Sequence, residues 1–113
     1  MSFLAADTVT VVRAPLSTNR YGSEIRDWTA ATRNDVTGVS VQPAAASEDV
    51  RDRELRIRTF TLFTSRGKDI DLAATDRVEW AGLTLQVEGD VNRWPMPGGG
   101  VHHVEARLQQ VEG

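Results

Sequence analysis

Asp76-Arg77-Val78-Glu79-Trp80-Ala81-Gly82-Leu83-Thr84-Leu85-Gln86-Val87-Glu88 is the stretch from which the fold can be read. Val78 and Trp80 alternate with Arg77 and Glu79. Beyond Ala81-Gly82, the apolar Leu83, Leu85 and Val87 alternate with Thr84, Gln86 and Glu88. A period of two marks a strand with one face buried. Gly82 permits a positive φ, so Ala81-Gly82 reads as a tight hairpin turn joining strands at 76–80 and 83–88.

The same period extends in both directions. Residues 101–111 close the chain, with Val104, Ala106 and Leu108 alternating with His103, Glu105 and Arg107. Upstream, residues 69–72 read as a short strand. Residues 54–64 form the longest candidate, in which Leu55 and Ile57 point one way and Phe60 and Leu62 the other. Such a slip in phase implies a bulge or a strand buried on both sides. Residues 36–42 carry Val39 and Val41 on one face, and residues 8–13 form the first strand. No segment keeps a helical period over three turns. Residues 23–33 and 71–75 can hold a single turn at most. Loops are expected at 15–21 and at 92–100, where Pro95, Pro97 and three glycines cluster. Pro43-Ala44-Ala45-Ala46-Ser47-Glu48-Asp49-Val50-Arg51-Asp52-Arg53 has almost nothing to bury and is long for a hairpin connection. The expectation is therefore all-β: a small β-barrel or sandwich of six to seven mostly antiparallel strands with one long inter-strand loop at 43–53. It forms a single domain over residues 1–113, with flexible residues at about 1–6.

Composition narrows the function. The chain has 113 residues, a formal net charge of -3 and no cysteine. Acids and bases are interspersed, so the basic face of a general nucleic-acid binder is absent. Disulfides and thiolate metal sites are impossible. The first residues lack the pattern of a secretory signal, and no apolar run is long enough to cross a membrane as a helix. Lys68 is the only lysine among 13 basic residues. Arginine favours planar, bidentate ion pairs, and a GC-rich genome yields the same bias.

No pattern for catalysis emerges. His102-His103 is the only histidine cluster, and adjacent strand residues face opposite sides, which argues against a shared metal ion. Asp69 and Asp71 share a strand face, where paired carboxylates more often form a solvated edge than an acid–base pair. Gly98-Gly99-Gly100 lacks the lysine and following helix of a phosphate-binding loop. No local motif of a Ser-His-Asp site is present. The expectation is a protein that is not an enzyme and needs no cofactor and no metal. Trp28 and Trp80 read as core residues. Trp94, beside Pro95 in a loop, is the candidate interface tryptophan.

Three motifs, in order, resemble the head-closure (head-tail connector, or stopper) proteins of tailed bacteriophages. The first is Asn19-Arg20-Tyr21-Gly22 followed by Asp27-Trp28. The second is Val36-x-Gly38-x-x-Val41-x-Pro43 followed by Ser47-Glu48. The third is Asp76-Arg77-Val78-x-Trp80-x-Gly82-x-x-Leu85-x-Val87-x-Gly89, then Trp94. The resemblance covers nearly the whole chain. It implies a small β-barrel that assembles with copies of itself as a ring, often a dodecamer, in the neck of the virion. Such a ring joins the portal and adaptor proteins of the head to a tail terminator or tail tube protein. It retains packaged DNA, which passes through the channel without sequence specificity. Assembly would take place in the host cytoplasm, with no membrane partner. By position, the loop at 43–53 would be the channel gate, matched at Pro43, Ser47 and Glu48 only. Glu48, Asp49 and Asp52 would keep it from sticking to DNA phosphates, although Arg51 and Arg53 nearly cancel that charge. Arg20, Tyr21, Arg93 and Trp94 are the candidate interface residues. The alternatives are a tail terminator or other neck or tail-completion protein, and a non-viral β-barrel protein-binding module.

Overall fold

The computed structural model describes residues 7–44 and 58–111. These form eight strands: β1 (Asp7–Arg13), β2 (Leu16–Thr18), β3 (Glu24–Arg26), β4 (Thr32–Pro43), β5 (Thr59–Thr64), β6 (Arg77–Trp80), β7 (Leu83–Pro95) and β8 (Val101–Gln110). Six of them close into an antiparallel barrel in the order β1-β4-β5-β8-β7-β6, with β6 returning to β1. The all-β reading is therefore correct, and of its two architectures the barrel is the one formed. Closure removes the open edges that a small sheet would otherwise expose.

The β6–β7 hairpin pairs Trp80 with Leu83. Both turn residues lie in the left-handed region, with Ala81 at φ 52° and Gly82 at φ 79°. This is the type I′ pattern, whose twist matches the strands it joins. Ala81 bears a Cβ in a conformation that glycine and asparagine tolerate better. Ala81→Asn should raise stability by about 0.5–1 kcal/mol, read as a higher urea midpoint at unchanged slope.

Alternate residues of every barrel strand point inward. Val9, Val11, Val39, Val41, Phe60, Leu62, Val78, Leu85, Val87, Val104, Ala106 and Leu108 form one cluster with Ile70 and Leu72. Trp80 packs against this cluster, edge-on to Phe60 with ring centroids 5.4 Å apart. Thr64 is buried but satisfied: its hydroxyl donates to the Lys68 carbonyl at 2.7 Å and accepts the Val104 N–H at 2.8 Å.

Several expectations are corrected. Residues 69–72 are not a strand. No strand pairs with them: the Ile70 N–H donates to Asp69 Oδ1, the Leu72 N–H to the Ile70 carbonyl, and Arg93 Nη2 donates to the Ile70 and Leu72 carbonyls. From this braced segment Ile70 and Leu72 both turn into the core. Residues 92–95 are not loop but the end of β7, and the connection shrinks to the turn between Met96 and Gly100. Pro95 sits at a strand terminus, where a missing N–H costs least. The expected loop at 15–21 contains β2, and residues 23–33 hold β3, one 3₁₀ turn at Trp28–Ala30 and the start of β4. Asp27 caps that turn by accepting the Thr29 N–H. Trp28 is not a core residue. It lies half-buried with the Arg77 guanidinium 4.0 Å above its ring. The phase slip cannot be followed, because Leu55 and Ile57 lie outside the described residues, as do residues 1–6. Within β5 itself, Phe60, Leu62 and Thr64 alternate regularly.

Candidate docking surfaces

The strands β2 and β3 pair with each other and with no barrel strand. They form a ribbon inserted between β1 and β4. Its root is fixed: the Asp27 N–H donates to the Pro15 carbonyl at 2.9 Å, and Arg26 Nη1 donates to the Ala14 carbonyl at 3.1 Å. The Arg77–Trp28 contact ties the root to β6. Beyond the root the ribbon is bare. Leu16 is 55% exposed, Ile25 48% and Tyr21 81%. Leu16 faces Arg26 across the ladder while Ile25 faces Ser17, so the two apolar residues lie on opposite faces. A two-stranded ribbon of this kind is marginal by itself.

The ribbon tip is nevertheless ordered by its own sequence. Asn19 Oδ1 accepts the N–H groups of Tyr21 and Ser23, at 2.9 and 3.0 Å. The Gly22 N–H donates to the Asn19 carbonyl at 3.0 Å, and Gly22 has φ 82°. Asparagine supplies the local acceptor and glycine the positive φ. The Asn19-Arg20-Tyr21-Gly22 motif thus encodes a rigid turn that leaves Arg20 and Tyr21 outward. Sequence reasoning picked out Arg20 and Tyr21 but missed Leu16 and Ile25. The available signal was two apolar residues in segments otherwise too polar to bury anything.

Arg93 and Trp94 belong to the other projecting element, the distal part of the β7–β8 hairpin. Between Glu88 and Asn92 the register slips: β7 advances from 88 to 92 while β8 goes only from 107 to 105. Gly89, at φ 78°, begins this bulge. An open groove results on the outer face, lined by Thr61, Glu88, Asp90, Asn92, Glu105 and Arg107. Farther out, Trp94 is 50% exposed and stacks on His103 with centroids 6.1 Å apart. Arg93 serves the fold. Besides taking the two carbonyls of residues 70 and 72, its Nε meets Asp69 Oδ1 at 3.3 Å. The ribbon tip and the Arg93–Trp94 pair are two separate surfaces.

A second arginine brace holds the later part of the β5–β6 connection, up to its last residue. Arg13 grips Asp76 with Nε and Nη2, at 3.1 and 2.8 Å, and reaches Asp71 with Nη1 and Nη2. The pair of carboxylates raises the Arg13 pKa, with Asp76 the larger cause. The guanidinium in turn holds the Asp71 carboxyl below the usual carboxylate range. Asp69 and Asp71 therefore engage two different arginines while both stay largely exposed to solvent.

The histidines also depart from expectation. The Nδ1 atoms of His102 and His103 lie 2.9 Å apart, although adjacent strand residues normally diverge. The register shift at Trp94/Pro95 loosens the pleat there. Among the described residues no three His, Cys, Asp or Glu side chains gather to hold a metal ion. Of the expected gate loop, Pro43 and Ala44 are described and residues 45–53 lie outside the described residues. Pro43 pairs with Phe60, and the Ala44 N–H donates to the Thr59 carbonyl at 2.9 Å. The connection therefore leaves and re-enters the barrel at one point.

No protein-family model matches the sequence, and no curated protein does. Solved structures do share the fold. One chain of the virion of a native gene transfer agent particle superposes with a TM-score of 0.65, covering 100% of both chains at 15% identity. Protein SF1141 of Shigella flexneri 2a, solved in solution, gives a TM-score of 0.58 at 19% identity, covering 95% of this chain and 93% of that one.

Proposed function

We propose that this chain is a structural protein of a phage-like virion. In this reading, copies of it form a ring in the neck that joins the portal or adaptor to the tail and retains packaged DNA. The observation that carries the reading is the full-length likeness, end to end in both chains, to a component of a gene transfer agent virion. Two further features support it. The first and third motifs of the head-closure resemblance fall on the rigid ribbon tip and on the β6–β7 turn and β7 bulge, and the described part of the second lies on β4. The barrel also leaves two projecting elements on different strands, which a ring needs because each copy must offer two unlike surfaces.

The loop at 43–53 is the proposed channel gate. The strands that flank it are paired at the barrel rim, Pro43 with Phe60 and the Ala44 N–H on the Thr59 carbonyl, so the barrel is closed without it. The partners are further copies of the chain, the portal or adaptor proteins and the tail terminator or tube, with DNA passing unspecifically. In this reading the protein belongs to the virion neck, after assembly in the host cytoplasm.

The test uses the producing phage. A null allele should yield heads that lack tails and lose their packaged DNA. Deleting residues 44–52 should leave rings and tails in place while filled heads lose DNA, measured by nuclease-accessible DNA in purified particles. Complete tailed particles from the null allele would remove the neck assignment. Normal retention by the deletion variant would remove the gate.

A further inference from the structure

We infer that the β2–β3 ribbon is the arm by which one copy of this chain grips the next. Arg20 and Tyr21 at its tip seat in the groove that the β7 bulge opens on a neighbouring copy. The inference rests on the ring reading for its occupant, a second copy.

Three observations lead there. First, the ribbon exposes apolar residues on both faces and at its tip, yet its tip is held rigid by Asn19 and Gly22. A preordered element with uncovered apolar groups binds at low entropic cost. Second, charge is complementary. The tip presents Arg20, and the groove presents Glu88, Asp90 and Glu105 against a single cation, Arg107. Opposite potentials set the register of such a contact. Third, the two surfaces lie on opposite flanks. The ribbon springs from between β1 and β4, whereas the groove straddles β5, β8 and β7. In the order β1-β4-β5-β8-β7-β6, β8 stands across the barrel from β1. The ribbon and the groove are therefore carried by different strands of the barrel. Head-to-tail contact through unlike patches generates a ring when the rotation closes.

The chain has no cysteine, so engineered thiols report without background. Full-length protein carrying Tyr21→Cys and Asp90→Cys is oxidised mildly, both in concentrated solution and in assembled particles. Non-reducing gels should show a ladder of covalent multimers from the double variant, a heterodimer from mixed single variants, and loss of both bands from either single variant alone. R20E in the double-variant background should abolish the ladder, and adding E88R should restore it. Both cysteine positions lie outside the barrel core, and unchanged urea midpoints check the folding. Monomer alone in solution and in particles overturns the inference. So does a dimer from Y21C alone, which would mean arm against arm, or a cross-link from Y21C to a different particle protein. The ring reading fails separately. A ladder from a chain whose null allele still gives complete tailed particles leaves the arm contact standing and removes the neck.

Discussion

Leu62→Ala should lower the unfolding free energy by about 3–4 kcal/mol, within the range found for buried leucines truncated in well-packed cores. Leu62 is fully buried on β5, and its ladder partners are Val41 on β4 and Ala106 on β8. All three face inward at one level of the barrel. Ala106 is small, so the leucine fills the space that alanine leaves. No neighbour in that row can lengthen to close the gap, and the barrel's hydrogen-bonded walls resist collapse. The cost therefore combines the lost transfer free energy with a persistent cavity. A domain of this size has about 5–15 kcal/mol in total. The variant should unfold at a clearly lower urea midpoint with unchanged slope. Its melting temperature should fall by roughly 10–20 °C. A midpoint within experimental error of the parent would show that the β4–β5–β8 side of the barrel is not packed as described.

Asp76→Ala should cost about 2–4 kcal/mol, through loss of a charge-assisted pair and exposure of unpaired groups. The Asp76 side chain is 1% exposed and Arg13 43%. One carboxylate takes both Arg13 contacts and also accepts the Ala73 N–H at 2.8 Å. Removal leaves that N–H without its acceptor and frees Arg13 to water and Asp71. The cost stays below that of stranding a buried charge because the arginine is half in solvent. Asp76→Asn keeps an acceptor oxygen for Ala73 and should lose less. Arg13→Ala strands the buried carboxylate instead and should cost more, about 3–5 kcal/mol. The double variant should fall short of the sum of the singles by about 1.5–3 kcal/mol, since the residues form one unit. Additive losses in urea unfolding would mean the two residues act independently.

These two residues illustrate what was legible. Leu62 could be placed on one face of its strand with Phe60 from their spacing alone. Asp76 could not be placed so. It appeared only as the first residue of a strand, and its partner lies 63 positions away. The same distinction separates the correct expectations from the corrected ones elsewhere. Ala81-Gly82 was readable because a two-residue turn is decided by its own φ angles. Residues 69–72 were misread as a strand because their backbone bonds go to Arg93, more than twenty residues on. The candidate interface residues differ in what positions them. Tyr21 stays outward because Asn19 and Gly22 shape its turn locally. Arg93 is drawn into a structural brace by a segment distant in sequence.

By itself, then, the sequence determined an all-β chain, the hairpin at Ala81-Gly82, most of the inward-facing residues and the outward turn at Arg20-Tyr21. Each follows from period-two alternation or from backbone preferences over a few residues. Only the tertiary structure decided that the strands close as a barrel with β6 against β1. It alone also set the β2–β3 ribbon outside that barrel, across from the groove at the β7 bulge. Those outcomes depend on register and ion pairing between residues far apart in the chain. Alternation says which face of a strand is buried, but not which strand will cover it.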